Sequence, residues 1–284
     1  SSDLNGFGFL LDRHRAPRLD EDDHGTRGER LRKMLDELGP TFVKFGQLLS
    51  TRPDVVPPDI VRELRTLQDA ASPVPGPRVR SVIESDLGAS IGELFAWFDE
   101  TPIAAASIGQ VHRARLPGGE DVVVKVQRPD AEATLKADLA LLEQVAKLAK
   151  ERVKRLEFID MVALVDEFGR TIRQELDYRV EARNVEASRR AFAGDETVTV
   201  PTVHWRHTTS RVLVLEWLDG DTLNHTDLQG WSAEDRTLLA SRISETWMKM
   251  VFVHGFFHAD PHPANIIVYG PDKKIGRASC RERV

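Results

Sequence analysis

The chain of 284 residues lacks several features on which whole classes of protein depend. Its one cysteine, Cys280, excludes a disulfide framework and a cysteine-based zinc site, and it favours a reducing compartment. No stretch approaches about 18 consecutive apolar residues, so none is predicted to cross a bilayer. The start of the chain also lacks the basic-then-apolar order of a signal peptide. These absences together predict a cytoplasmic protein.

The chain also has no excess of basic residues. It contains 39 Lys and Arg and 45 Asp and Glu, which gives a net charge of −6. We therefore expect no broad nucleic-acid-binding surface, although a local basic patch is compatible with this balance. Hydrophobic residues make up 41% and charged residues 30% of the chain, and its 19 glycines and 15 prolines are spread out. This composition excludes collagen-like, low-complexity and wholly disordered proteins. The length suffices for one large domain or two modest ones.

The last ten residues, 275–284, match one reading-frame translation of a common DNA-sequencing adapter. They follow a Pro-Asp-Lys-Lys turn abruptly and contain Cys280 together with three arginines. Segments of this origin are left out of fold reasoning. We therefore expect the natural protein to continue beyond Lys274 with residues that this chain does not contain.

The patterning of the remaining residues predicts four segments. Residues 1–28 are expected to be a polar leader, and residues 29–98 an all-helical extension without strands, because apolar residues recur there at helical spacing. Residues 99–219 combine strands and helices, and residues 220–274 are mostly helical. The expected strands are 111–116, 121–127, 197–205, 211–217 and 266–269, and the expected helices after residue 99 are 130–155, 160–192 and 233–254. This order predicts an α+β body behind a helical extension.

An Asp and an Asn five residues apart carry the most specific chemical signal. Asp260 and Asn265 lie on a loop between a predicted helix and a predicted strand. Phosphoryl transfer needs a carboxylate that orients the acceptor and a neutral oxygen ligand for Mg²⁺ beside the phosphates, and this spacing is typical of a kinase catalytic loop. The alternatives are a polar surface loop, or a zinc site formed by His258, Asp260 and His262.

A lysine and a small-residue loop suggest where phosphates would bind. Lys125 interrupts an otherwise apolar strand one hairpin after a segment that stands where a kinase has its Gly-rich loop. A lysine on an edge strand that discourages aggregation is the alternative. The candidate nucleotide-binding residues of the loop are Ala104, Ala105, Ala106, Ser107, Ile108, Gly109 and Gln110.

Three carboxylates on the predicted helix 160–192 could pair with cations. In a regular helix Asp177 and Glu181 share a face, whereas Glu175 points roughly 120–160° away from these two residues. We therefore expect Glu181 to pair with Lys125 and Glu175 to meet a different cation. A solvated acidic face with local arginine partners is the alternative.

The strand at 211–217 ends in a turn that suits a hinge between two lobes. The backbone groups from Glu216 to Leu218 would then be available to the edge of an adenine.

These motifs together resemble the UbiB family of atypical kinases over about residues 29–270. The motifs are Lys44-Phe-Gly-Gln47, the Ala-rich segment 104–112, Lys125, Gln174-Glu-Leu-Asp-Tyr178 and His258-Ala-Asp-Pro-His-Pro-Ala-Asn265. The resemblance implies that Lys44 and Gln47 lie on a helical extension that folds over the nucleotide site, and that Glu175 and Asp177 anchor this extension. It also implies a kinase-type ion pair between Lys125 and Glu181, a catalytic role for Asp260, and a metal-ligand role for Asn265.

The resemblance implies a protein-kinase-like two-lobed α+β fold with an incomplete C-lobe, and ATP and Mg²⁺ as cofactors. The family supports the biosynthesis of ubiquinone or related isoprenoid quinones and behaves largely as an ATPase. Implied partners are a small lipid-like or quinone-pathway substrate or a protein complex, and membrane association would come through the part beyond Lys274. The Asp-Phe-Gly segment expected after the strand at 266–269 is absent from the sequence. We therefore expect this fragment to be inactive.

Two other functions compete with this interpretation. A nucleotide-binding scaffold without chemistry would use the same loop, lysine and hinge. A small-molecule phosphotransferase resembling aminoglycoside kinases shares the His-x-Asp-x4-Asn loop, but it needs neither the Ala-rich loop nor the Lys44-x-Gly-Gln47 motif.

Overall fold

The computed structural model describes residues 25–67, 71–152, 160–258, 263–270, 275–277 and 282–283. The helices in these residues are α1 (Arg27–Leu38), α2 (Pro40–Ser50), α3 (Pro58–Leu64), α4 (Gly76–Leu87), α5 (Ile91–Leu94), α6 (Ala131–Arg152), α7 (Met161–Glu175), α8 (Tyr178–Ala191) and α9 (Ala233–Met248). The strands are β1 (Trp97–Phe98), β2 (Ala104–Ala105), β3 (Gly109–Arg115), β4 (Asp121–Gln127), β5 (Val198–Thr199), β6 (Val212–Glu216), β7 (Asp221–Thr222), β8 (Phe257–His258), β9 (Ile266–Val268), β10 (Ile275–Arg277) and β11 (Glu282–Arg283).

The chain forms two compact units, each assembled from separate segments. Among the described residues, the first unit takes those up to Ser72 together with those of 105–108 and 130–172. The second unit takes residues 73–104 and 109–129 and the described residues from Arg173 onward. These units cut across the domain boundaries expected from the sequence, because residues 73–98 belong with the sheet and residues 130–172 belong with the N-terminal helices. The expected leader lies mostly outside the described residues.

Local sequence signals define the helices of the first unit. Thr26 and Glu29 form a capping box that starts α1, and Gly39, with φ of 108°, separates it from α2, which begins at Pro40. Helix α2 contacts α1, α3 and α6. Phe45 of α2 also packs edge-on against Phe168 of α7, with ring centroids 5.3 Å apart. The predicted helical character of this region is confirmed.

An antiparallel sheet with the order β1-β3-β4-β6 organises the second unit. The predicted hairpin is confirmed as β3 and β4, with Gly119 at φ of 94° in the turn. Alternate residues of β4 face opposite sides of the sheet. Val122, Val124 and Val126 belong to one apolar core with α4, whereas Val123 packs against a second core that includes α8. A smaller sheet has the order β5-β10-β9-β7, in which β10 lies within the segment attributed to the adapter.

The predicted single helix 160–192 is wrong, because the structure has two helices separated by Leu176 and Asp177. The Asp177 carboxylate accepts a hydrogen bond from the Arg179 backbone N–H at 3.0 Å and so acts as the N-cap of α8. On either side, the Leu176 carbonyl accepts a hydrogen bond from the Gln127 amide, and the Tyr178 N–H donates to the Ser210 carbonyl. These bonds to the ends of two strands take the place of intrahelical hydrogen bonds.

Three further boundaries differ from the prediction. Trp97 and Phe98 form strand β1 within the segment expected to be entirely helical, because they pair with Arg115 and Ala114. The expected strand 197–205 contains only β5, an isolated bridge and the start of a short 3-10 turn. Helix α9 ends at Met248, and the chain continues as one π-helical turn over residues 249–254.

Candidate functional site

Lys125 and Glu181 form an ion pair in the second unit. Lys125 is in β4 on the side of the sheet that faces α8, and its Nζ donates to Glu181 Oε2 at 2.6 Å. The lysine side chain is 33% exposed and the glutamate side chain 16%. The predicted pairing is present. It places a partly desolvated ammonium beside a carboxylate that holds it in one position.

A tyrosine that the sequence analysis did not single out completes this cluster. Tyr178, the first residue of α8, is 2% exposed, and Lys125 Nζ lies 4.8 Å from the centroid of its ring. A Cβ built on Gly109 would collide with Tyr178 Oη and would lie 2.7 Å from the Val126 carbonyl oxygen. The available signal was an aromatic residue directly after an N-cap aspartate and three residues before Glu181, at helical i,i+3 spacing.

The candidate loop 104–110 is tied down at its C-terminal end by a buried polar network. Gln110 is 1% exposed, and its side-chain amide bonds both the N–H of Val74, at 2.7 Å, and the carbonyl of Val74, at 3.2 Å. His112 contacts the Gln110 amide at 2.9 Å and the Asp99 carbonyl at 2.7 Å. Burial lowers the pKa of His112, which keeps the imidazole neutral. The structure therefore places Gln110 in a structural network that fixes the start of β3.

Helix α2 carries Lys44 and Gln47 within the first unit. Lys44 is 5% exposed, and the Gln47 amide donates to the Leu67 carbonyl at 3.1 Å. Asp177, one of the two expected anchors, caps α8 and binds Arg179 at 2.8 Å. Glu175 is half-buried at the end of α7. The expected contact between Lys44 and Glu175 spans the two units and stays a prediction.

The candidate hinge follows β6, where the structure fixes the backbone on both sides. Glu216 N–H donates to the Thr202 carbonyl, and Trp217 N–H donates to the Asp121 carbonyl at 3.0 Å. Leu218 is buried, and the Arg113 guanidinium lies 4.5 Å from the centroid of the Trp217 ring. The hinge is thereby joined to the edge of the same hairpin that carries Lys125.

The candidate catalytic loop is only partly described. Asp260 lies outside the described residues, whereas Asn265 ends a short 3-10 turn directly before β9, which confirms the predicted strand. Among the side chains that the structure does describe, no three His, Cys, Asp or Glu come together as a metal-binding group.

The comparisons with known proteins decide the family. The model of the ABC1 atypical kinase-like domain matches residues 66–276. The chain belongs to this family. A probable protein kinase UbiB from Cellvibrio japonicus is 45% identical over 245 residues, which cover 86% of this chain and 44% of that protein. An uncharacterized protein, sll1770, from Synechocystis is 42% identical over 84% of this chain and 41% of its own length.

Solved structures support the same assignment. Rv3197 from Mycobacterium tuberculosis, solved in complex with erythromycin, has a TM-score of 0.64 and 30% identity, covering 88% of this chain and 63% of that chain. The α+β, kinase-like fold expected from the sequence is therefore confirmed, and so is the resemblance to UbiB proteins. The chain spans less than half the length of the curated relatives named above. In the parts of the chain that can be described, no helix is long and apolar enough to cross a membrane.

Proposed function

We propose that the full-length parent of this ABC1-family chain is an ATP-dependent atypical kinase or ATPase. The observation that carries this proposal is the ion pair between Lys125 and Glu181, positioned by the central sheet and α8. Protein kinases hold their phosphate-binding lysine with a helix glutamate in the same way, and this ion pair must be in place in the active enzyme.

The chemistry of the ammonium fits a phosphate ligand. An ammonium has three N–H donors, of which Glu181 takes one, so the others can be offered to phosphate oxygens. We assign nucleotide contacts to Lys125, to the loop 104–110 and to the hinge backbone at Glu216 and Leu218. The expected contact of Gln110 with the nucleotide would be indirect, because its amide is bonded to Val74.

Asn265 has the donor chemistry that a hard cation prefers, since its side chain offers a neutral amide oxygen. When bound, Mg²⁺ would neutralise negative charge on the phosphates. We assign Asn265 one ligand position and Asp260 the orientation of the acceptor. The remaining carboxylate ligand would come from the part of the longer relatives that this chain does not span, and we therefore propose that this fragment binds nucleotide without turning it over.

Family membership supports the rest of the proposal. We propose a role in the biosynthesis of ubiquinone or a related isoprenoid quinone, with a small lipid-like substrate or a protein complex as partner. Helix α2, with Lys44 and Gln47, would act as a lid anchored by Glu175 and Asp177. The cytoplasmic location, with membrane association of the parent, belongs to the same proposal.

The test is ATP hydrolysis by the full-length parent and by its Asp260→Asn variant. We expect the variant to lose turnover with little change in Tm, because an isosteric change on a loop leaves no cavity. Asp36→Asn, on the exposed face of α1, is the matched control and should keep the parental rate. Equal rates for the parent and Asp260→Asn would refute the assignment of Asp260. A parent that binds ATP and never hydrolyses it would instead be a scaffold.

A further inference from the structure

The fold places the Tyr178 side chain firmly. The backbone N–H of Tyr178 donates to the Ser210 carbonyl at 2.9 Å, and the preceding residue, Asp177, caps the helix. The side chain is 2% exposed and belongs to the apolar core that joins α8 to the sheet. A ring held in this way can define the position of whatever packs against it.

One face of this ring supports the Lys125 ammonium. The distance from Nζ to the ring centroid is 4.8 Å, within the range of a cation–π contact. Glu181 lies three residues further along α8 and binds the same ammonium at 2.6 Å. The first turn of one helix therefore supplies both the carboxylate and the aromatic face that hold Lys125.

The phenol end of the same ring meets the backbone where the loop 104–108 enters β3. Gly109 leaves no room for a Cβ, because Tyr178 Oη and the Val126 carbonyl already occupy that space. Tyr178 thus touches two parts of the candidate phosphate site, the lysine and the base of the loop. Since the pairing of β3 with β4 fixes the backbone of both residues, a displacement of the ring would move the Lys125 ammonium relative to Gly109.

We propose that Tyr178 is a positioning residue for phosphate binding, because it sets the distance between the Lys125 ammonium and the base of the Ala-rich loop. This inference rests on the proposed function in so far as the ligand is a nucleotide phosphate. Tyr178 would act through Lys125 and Gly109, and this role requires no contact between Tyr178 and the nucleotide. A change at Tyr178 should therefore affect the recognition of phosphates and leave the recognition of adenosine unchanged.

The first measurement needs no ligand. A methylene group above an aromatic ring has its NMR signal shifted upfield by the ring current, so the Lys125 ε-CH₂ signal reports the contact directly. With ¹³C-labelled lysine, assigned through Lys125→Arg, we expect an upfield signal in the wild type and in Tyr178→Phe, and its loss in Tyr178→Leu. Gly109→Ala should reduce the shift by displacing the ring. Gly92→Ala, where a Cβ meets open space, is its matched control and should leave the shift unchanged.

The second measurement is calorimetric titration of the 284-residue chain with ADP and Mg²⁺, and separately with adenosine. We expect Tyr178→Leu to weaken ADP binding about fivefold or more, within the range of a desolvated cation–π contact, with adenosine unchanged. Tyr178→Phe should keep wild-type affinity. Phe192→Leu, an aromatic truncation in the same apolar core, should not change the affinity for ADP relative to that for adenosine.

The outcomes separate this inference from the proposed function. An unshifted Lys125 signal in the wild type would overturn the inference even if Tyr178→Leu did not fold. Unchanged ADP affinity in folded Tyr178→Leu, or equal losses for ADP and adenosine, would overturn it too. A wild type with the shifted signal and no preference for ADP over adenosine would remove the proposed nucleotide function while supporting the Tyr178–Lys125 contact.

Discussion

The Lys125 side chain is two-thirds covered, and its ammonium is paired with one carboxylate. Lys125→Ala should weaken ADP binding at least tenfold, because a charge-assisted hydrogen bond to phosphate is lost, and adenosine binding should stay the same. Glu181→Gln should reproduce part of this loss, because a neutral amide holds the ammonium less firmly. The measurement is calorimetric titration with both ligands. Lys147→Ala, on the exposed side of α6, should behave as the wild type, and an unchanged ADP affinity in Lys125→Ala would contradict the assignment.

Asp195 gives a pH-dependent contribution to stability. The pKa of its carboxyl is lowered from 3.8 to about 2. The largest cause is the hydrogen bond from Lys249, followed by the hydrogen bond from Thr197. A group whose pKa is depressed on folding stabilises the protein above its unfolded pKa, and this contribution is lost as the pH falls from about 4 towards 2. Asp195→Asn should therefore reduce the free energy of unfolding by about 2 kcal/mol at pH 7, since Asp195 is 18% exposed.

Urea denaturation at pH 7 and near pH 2.5 measures this effect. The difference between Asp195→Asn and the wild type should shrink at the lower pH, because pH 2.5 lies well below the ordinary pKa of 3.8 and most of the pH-dependent contribution is lost there. A difference that is the same at both pH values would show that the ion pair with Lys249 contributes nothing specific.

Gly46 lies inside α2, where a glycine destabilises the helix by roughly 1 kcal/mol relative to alanine. The structure explains why position 46 is a glycine, because a Cβ there would lie 2.5 Å from Leu67 Cδ1 and 2.8 Å from Leu35 Cδ1. Both leucines are buried, so their methyl groups have little room to move. Overpacking costs about 1–3 kcal/mol and should outweigh the gain in propensity.

We therefore expect Gly46→Ala to destabilise the chain by about 1 kcal/mol, measured by urea denaturation. Gly92→Ala in α5, which meets open space, should be neutral or slightly stabilising. A more stable Gly46→Ala variant would show that the Leu35 and Leu67 side chains have room to move.

Elements with local signals could be predicted from the sequence, and those defined by distant partners could not. Helices α1 and α2 follow from Thr26, Gly39 and Pro40, and the hairpin of β3 and β4 follows from its Pro-Gly-Gly turn. The break before α8 depends on hydrogen bonds from Gln127 and to Ser210, which lie far away in the sequence. The helical spacing of apolar residues continues across the break and so does not reveal it. Asp177, the second residue of the break, is a typical N-cap residue and was the local sign that a new helix begins.

The candidate site shows the same division. The pairing of Lys125 with Glu181 could be predicted because kinase-like motifs define both positions. Tyr178 could not, because its importance depends on the space beside Gly109, which only the folded sheet creates. A regular helix would place Asp177 within the same helix as Glu181, but α8 begins directly after Asp177, which caps it.

At the scale of the whole molecule, an exposed apolar surface is concentrated at the end of α9. The exposed side chains there are Met248, Val251, Phe252 and Val253, with Phe252 75% exposed. Contiguous apolar surface of this kind promotes association, whereas single exposed apolar residues are normal. Phe252→Glu should therefore reduce self-association of the chain with little change in Tm.

Light scattering over a concentration series measures this association. Trp205→Glu, at an isolated side chain that is 45% exposed, is the control and should leave the association unchanged. If both variants associate as strongly as the wild type, the surface at residues 248–253 does not drive the process.

The division of the first unit among three chain segments affects the order in which the protein can fold. Helix α2 leaves the ribosome early, but its partner α6 begins about 80 residues later. At about 5–20 residues per second, synthesis of this interval takes roughly 4–16 seconds. During that time α2 lacks its contact with α6, and short isolated helices are marginal in water. The N-terminal helices are therefore expected to stay unfolded, and accessible to chaperones, until the middle of the chain has been made.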